Sequence, residues 1–168
     1  VDFSAIQAIE DRGAWCLDQH NVRFVRTWFS KDRRRMVCLY EAPDAESVRI
    51  AQKKAGMPVD RVWAVAGDPV PGGPRRPGAE AGVHVAVERT FGEPVSLEEI
   101  TALIAKGGEC LPRHRAAYLG GHLSSDGLRM FCVFFAPDAE SVRIANREFG
   151  APFDRAWTAT VHEPPGQE

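Results

Sequence analysis

Two histidines and one glutamate are the residues whose types best suit chemistry in this sequence. His84 and Glu88 lie in the segment VHVAVERTF, and His122 follows a Gly-Gly pair. Neutral imidazole and carboxylate groups bind divalent transition metals. The same groups act as general acids and bases near neutral pH. His84, Glu88 and His122 are therefore candidates for a metal site and, alternatively, for acid–base catalysis.

A second set of side chains could line a pocket for a small organic molecule. Aromatic rings wall apolar cavities, and a guanidinium group can hold a carboxylate or enolate oxygen. The members of this set are Phe24, Arg26, Trp28, Glu41, Trp63, Tyr118 and Trp157. The alternative is that the aromatic residues only pack two sheets together.

Alternation along the strands predicts which of these side chains share a face. Val83, Val85, Val87 and Phe91 are expected under helices, which leaves His84, Ala86 and Glu88 on the opposite, open face. In the next strand Leu119 and Leu123 belong with the helices, so the open face gains Tyr118, Gly120 and His122. A third strand lies between these two, which predicts roughly 10 Å between the backbones of His84 and His122. Separate hydrogen-bonded polar groups are thus an alternative to one metal site.

The elements that carry these residues occur twice. Residues 1–65 align without gaps with residues 95–159, with about 27 identities in roughly 65 positions. Residues 42–51 recur unchanged as residues 136–145, and the stretch between the copies is rich in Pro and Gly. The sequence therefore predicts copy one over residues 1–65, a linker over 66–82, copy two over 83–163 and a tail over 164–168.

Copy two reads as β-α-β-β-α-β, the ferredoxin-like α+β pattern. Ser96 and Asp138 are placed to cap its two helices, and LRMFCVFFA is nearly continuous in hydrophobicity, as a buried central strand is. Copy one lacks the opening strand, because its counterpart would precede Val1. Since that strand is central in this topology, we expect a further N-terminal segment, or another segment or chain, to fill its place.

Composition excludes several classes of function. The net charge of −2 provides no general attraction to nucleic acid or to an anionic membrane. No apolar run approaches the roughly 20 residues that span a bilayer. The cysteines lack the paired C-x-x-C spacing of zinc sites. We expect a cytoplasmic protein whose partner is a small molecule or a metal ion, with no nucleic acid and no membrane.

The motifs VERTF, CLYEAPDAESVR and G.P.DR, in this order, resemble a small bacterial family of ferredoxin-like domains (domain of unknown function 4242), often labelled nickel-binding. The resemblance covers both copies and implies nickel or another divalent transition metal as cofactor. If no metal is bound, we expect no cofactor. Many members carry a His in the second helix, near the place of Ala51 and Ala145 here. Members are typically single domains that dimerise, so tandem copies imply an internal pseudo-dimer with facing sheets. Further homodimerisation stays open.

Three hypotheses for function follow. The first is a small-ligand or nickel-like metal-binding protein with one asymmetric site between the copies, because His122 in copy two stands where copy one has Trp28. The second is a cofactor-independent enzyme, such as an isomerase, cyclase or monooxygenase-like protein, that uses His and Glu in the cavity between the sheets. The third is a structural or interaction protein without pocket chemistry.

Overall fold

The structure is a computed structural model that describes residues 2–72 and 81–164. The described chain combines helices with antiparallel strands, as predicted, and divides into two compact units. Unit 1 is Val1–Ala64 with Val161–Glu168, and unit 2 is Val65–Thr160. The predicted linker and tail fall in part, at residues 73–80 and 165–168, outside the described residues.

Unit 1 begins with a helix and continues through a β-hairpin to a second helix. Its elements are α1 (Phe3–Gln19), β1 (Arg23–Ser30), β2 (Met36–Glu41) and α2 (Ala45–Ala55). β1 and β2 pair antiparallel. A small core of Val22, Val48 and Ala51 packs with Leu17 and Tyr40, which fixes both helices to one face of the hairpin.

Unit 2 is a sheet with two helices packed on one face. Its elements are β3 (Val70–Pro71), β4 (Val83–Thr90), α3 (Leu97–Arg113), β5 (Ala117–Leu123), β6 (Arg129–Ala136), α4 (Ala139–Glu148) and β7 (Arg155–His162), whose last two residues belong to unit 1. The strands pair antiparallel in the order β7-β4-β6-β5-β3. From β4 to β7 the elements follow the order predicted for residues 83–163.

The core of unit 2 lies between this sheet and its helices. Val85 and Val87 of β4 and Val142 of α4 are completely buried there, and Phe134 of β6 is nearly so. The helix-side positions predicted for β4 are therefore correct. β6 is buried along nearly its whole length, which confirms it as a central strand.

The repeated sequence makes the same hydrogen bonds in both units. Asp44 and Asp138 each cap a helix by accepting a bond of 2.7 Å from a backbone N–H, that of Ser47 and of Ser141 respectively. Two arginines one turn later also act alike: Arg49 donates to the Val62 carbonyl, and Arg143 donates to the Ala156 carbonyl. The unchanged part of the repeat, residues 42–51 and 136–145, thus has a structural role: it joins a strand to the helix that follows. We call this segment the joint.

One repeated segment folds differently in the two units. Residues 155–162 form β7, which pairs with β4. The counterparts of its first five residues, residues 61–65, form no strand, and within the described chain they contribute one isolated bridge between Val65 and Ser124. Among the described residues, 61–65 have no strand beside them that pairs as β4 pairs with β7. β2 is half-buried, whereas its counterpart β6 is buried along nearly its whole length.

Candidate functional site

The three candidate donors of unit 2 lie on the face of the sheet opposite its core. His84 and Glu88 alternate with the buried Val85 and Val87 along β4. His122 of β5 pairs with Phe131, and Glu88 pairs with Phe131 from the other side. Facing positions of antiparallel strands point to the same side of a sheet. The predicted face of His84, Glu88 and His122 is therefore correct.

The strand register keeps these donors apart. His84 pairs with Phe135, whereas His122 pairs with Phe131, four residues away along β6. Four residues of strand add about 13 Å to the roughly 10 Å between alternate strands, so the two histidine backbones lie roughly 16 Å apart. Within residues 2–72 and 81–164, no group of three or more His, Cys, Asp or Glu side chains could hold a metal ion. The structure does not bring the three predicted donors together.

Glu88 is held by its neighbours on β7. Trp157 Nε1 donates a hydrogen bond of 2.9 Å to the Glu88 carboxylate, and Arg155 Nε lies 3.8 Å from the same oxygen. The Trp157 ring also lies 6.5 Å from that of Phe131. Glu88 therefore orients Trp157, as expected of a hydrogen-bonded polar group in the framework.

Tyr118 and Phe24 lie on the helix side of their sheets, which corrects the predicted open face. Tyr118 belongs to the core of unit 2, and Phe24 lines a cleft with residues of α1 and α2. A register shift follows each residue, between Tyr118 and Gly120 and between Phe24 and Arg26. One extra residue in a strand reverses the alternation. Burial raises the pKa of the Tyr118 hydroxyl, so Tyr118 stays neutral.

The other candidates of unit 1 are spread over its surface and its core. Arg26 lies 5.9 Å from the centre of the Trp28 ring and forms an ion pair with Glu163. Trp28 is buried, whereas Glu41 is exposed and pairs with Arg23 at 2.6 Å. Trp63 is half-buried in the segment that forms no strand.

A cleft of about 160 Å³ opens in unit 1 between α1, the hairpin and α2. Most of its lining is apolar or small: Ile9, Gly13, Ala14, Leu17, Phe24, Ala55 and Met57. Its polar lining residues are Gln7, Asp11, Tyr40 and Gln52. Phe24 is thus the one sequence-predicted ligand residue that lines this cleft.

Unit 2 has a pocket at the corresponding place, but of about 20 Å³, room for little more than one water molecule. Leu111, Tyr118 and Phe134 line it, at the positions that Leu17, Phe24 and Tyr40 hold in unit 1. The main difference is Phe149, which lines the pocket where unit 1 has Ala55. The Phe149 ring lies 3.2 Å from where Gly107 would carry a Cβ atom, so it packs directly onto α3.

A hydrogen-bonded polar pair, Tyr40 and Gln52, lines the unit 1 cleft. Gln52 Nε2 donates a hydrogen bond of 2.7 Å to the Tyr40 hydroxyl. The Tyr40 and Phe24 rings lie 5.7 Å apart, and the corresponding rings of unit 2, Phe134 and Tyr118, lie 5.4 Å apart. In unit 1 the tyrosine of the pair is on the second strand of the hairpin, whereas in unit 2 it is on the first. The two units therefore share an aromatic pair and differ in where it is polar.

The sequence contained a signal for this cleft. The ungapped alignment of the copies places Ala55 opposite Phe149 and Gln52 opposite Asn146. A large-to-small difference between two copies of one core position indicates a cavity in one of them. This difference lies on the helix side of the strands, whereas the differences used for prediction, such as His122 against Trp28, lie on the open face.

A family model described as nickel responsive protein SCO4226-like matches residues 1–65. The chain is thus similar, over copy one, to a family named for its response to nickel. This supports the nickel-labelled resemblance seen in the motifs, although the family number is not confirmed. Neither a curated protein nor a solved structure matches the chain. Across the described ranges, no helix has both the length and the apolar character to cross a membrane.

Proposed function

We propose that the chain is a small-ligand binding protein whose site is the cleft of unit 1. One observation carries the proposal: at one place in a repeated frame, unit 2 inserts the Phe149 ring and unit 1 leaves a cleft at Ala55. An apolar cleft with a few polar groups is the common form of a small-molecule site. The family match falls on the same residues, which supports a role for this unit.

The scaffold in this proposal is a tandem of ferredoxin-like domains. The β-α-β-β-α-β order of unit 2 and the hydrogen bonds repeated around Asp44 and Asp138 support it. The pseudo-dimer, a site between the copies, homodimerisation and a cytoplasmic location stay predictions from the sequence.

A thermal-shift screen of small compounds tests the binding site. Wild type, Ala55→Phe and the matched Phe149→Ala variant are compared, after circular dichroism has shown that each is folded. Compounds that bind the cleft should raise the melting temperature of the wild type and of Phe149→Ala but not of Ala55→Phe. If every stabilising compound acts equally on Ala55→Phe, the cleft is not the site.

Nickel binding is the second candidate, and the family match is the observation that favours it. His84, Glu88 and His122 stay the sequence-based candidates, but the register of β4, β5 and β6 separates the two histidines. We expect a His84→Ala/His122→Ala double variant to keep the nickel stoichiometry of the wild type in calorimetric titration. Loss of one equivalent of bound nickel in the double variant would support a metal site formed by His84, Glu88 and His122.

The enzyme hypothesis, with His84, Glu88 and His122 as acid and base, stays a prediction. Binding ranks above it because the hydrogen bond from Trp157 and the nearby Arg155 give Glu88 a framework role. An active enzyme would require a proton-transfer group close to the bound ligand.

A further inference from the structure

We propose that the ligand of the unit 1 cleft is an uncharged aromatic molecule between benzene and phenol in size, with at most one small hydrogen-bonding group. This inference rests on the proposed function, because it names the ligand class of the same site. Size, wall chemistry and charge each point to this class.

The size follows from the cleft and from its filled counterpart. A cavity of about 150 Å³ lined by apolar side chains is known to accept benzene, and this cleft measures about 160 Å³. In unit 2 the corresponding place is narrowed to about 20 Å³ beside the ring of Phe149. Unit 2 therefore packs one phenyl ring at this location, next to Gly107, whereas in unit 1 α1 and α2 approach closely at Gly13 and Ala55.

The walls suit an aromatic ring. Leu17 and Ile9 of α1 present aliphatic side chains, Phe24 presents a ring, and Met57 contributes a thioether. Aromatic rings pack well against other rings in tilted arrangements and against methionine sulfur. Such a lining binds apolar surface favourably and provides few hydrogen-bond partners for a hydrated ligand.

Charge excludes anionic ligands. Among the described residues that line the cleft, none is Lys, Arg or His, and Asp11 is the one carboxylate. Asp11 is exposed and accepts a hydrogen bond of 2.8 Å from Gln7. The nearest basic group, His162, is engaged with two lining residues: its Nε2 lies 3.1 Å from Gln7 Oε1 and its ring stacks on Phe24. A carboxylate ligand would lose its hydration and find no cation among the described lining residues, so benzoate should be rejected.

The polar pair of Tyr40 and Gln52 selects the hydrogen-bonding group of the ligand. Hydroxyl and amide groups exchange hydrogen bonds with a phenol-type hydroxyl, and both members of this pair line the cleft. A phenol-type hydroxyl is small enough to join this pair within the volume of the cleft. The other polar lining residues, Gln7 and Asp11, already hydrogen-bond each other, so a second polar group on the ligand would compete with that bond.

The test measures binding of benzene, phenol and benzoate by chemical-shift perturbation in the full chain. Phenol should bind most tightly, benzene more weakly and benzoate not at all. Tyr40→Phe should weaken phenol about tenfold, the effect of one hydrogen bond, and leave benzene unchanged. The frame tolerates this change, since unit 2 carries Phe134 at that position.

Ala55→Phe should abolish binding of phenol and benzene, and Ala55→Leu, a smaller filler, should weaken both in case the first variant fails to fold. Benzoate binding as tight as phenol binding would overturn the ligand class and leave the site intact. Failure of phenol and benzene, with other compounds still sensitive to Ala55→Phe, would also overturn the class alone. If no compound is sensitive to either substitution, both the class and the proposed function fail.

Discussion

Arg89 is a buried cation held by neutral acceptors. It is 5% exposed and donates to Asn146 Oδ1 at 2.6 Å and to the Pro152 carbonyl at 2.8 Å. Alternation correctly places position 89 on the helix side, but no pattern predicts a charge there. A buried charge requires such hydrogen bonds, so Asn146 is a structural residue of unit 2.

Asn146→Ala should therefore be more costly than its counterpart in unit 1. Removing a partner of a charged group costs about 2 kcal/mol or more, whereas Gln52→Ala removes a neutral bond to Tyr40 that is worth about 1 kcal/mol. Urea unfolding of both variants against wild type measures the difference. Equal losses would show that Arg89 does not depend on Asn146.

The helix caps predict how stability depends on pH. The Ser47 backbone N–H and hydroxyl hold the pKa of Asp44 below its usual value, and Ser141 does the same for Asp138. A carboxyl whose pKa is depressed by folding stabilises the fold above its unfolded pKa of about 4, and this stabilisation is lost as the pH falls through the folded pKa. Stability should thus fall on acidification below about pH 4.

The double variant Asp44→Asn/Asp138→Asn isolates this effect, because Asn also caps helices but does not titrate in this range. Its urea midpoint should change less between pH 6 and pH 3 than that of the wild type. An identical change in both proteins would assign the acid sensitivity to other carboxylates.

At the scale of elements, the sequence predicted the order and faces of most strands in unit 2. It failed at two one-residue irregularities, which reverse alternation after Phe24 and after Tyr118. In unit 2 the signal was present, since Gly120 and Gly121 stand inside a strand and Gly120 has a φ of 147°. Unit 1 carries no glycine at this point, so nothing local marks its irregularity.

Strand pairing, too, cannot be predicted from the local sequence alone. Residues 61–65 align with residues 155–159 and keep the Arg and the Trp, yet the second set alone forms a strand, beside β4. Strand formation here depends on the neighbour. The separation of His84 from His122 was mispredicted for a related reason, since strand order can be inferred from topology but register cannot.

A fused strand tests this explanation. Placing a copy of residues 83–94 directly before Val1 restores the spacing between β4 and α3 seen in unit 2. Residues 61–64 should then become strand, amide exchange in β2 should slow, and the melting temperature should rise. The control carries Asp in place of the two valines copied from Val85 and Val87, which are completely buried in unit 2. Equal behaviour of the two fusions would reject the explanation.

At the scale of the whole molecule, the two copies share the hydrogen bonds of the joint and differ in the side chains that line their pockets. The joint at residues 42–51 and 136–145 is unchanged, and its hydrogen bonds are repeated. The interiors differ by a few side chains, chiefly Ala55 against Phe149 and Gln52 against Asn146. The scaffold was predictable because its signals are local caps and periodicity. The cleft was not predicted, because its volume depends on packing between elements.

Exchanging these interiors tests the central claim most directly. The double variant Ala55→Phe/Phe149→Ala should fill the cleft of unit 1 and open the corresponding place in unit 2. Phenol should then cause chemical-shift changes at Leu111, Tyr118 and Phe134 in place of Leu17, Phe24 and Tyr40. Shifts that stay in unit 1 of the folded variant, or that appear in neither unit, would contradict the account.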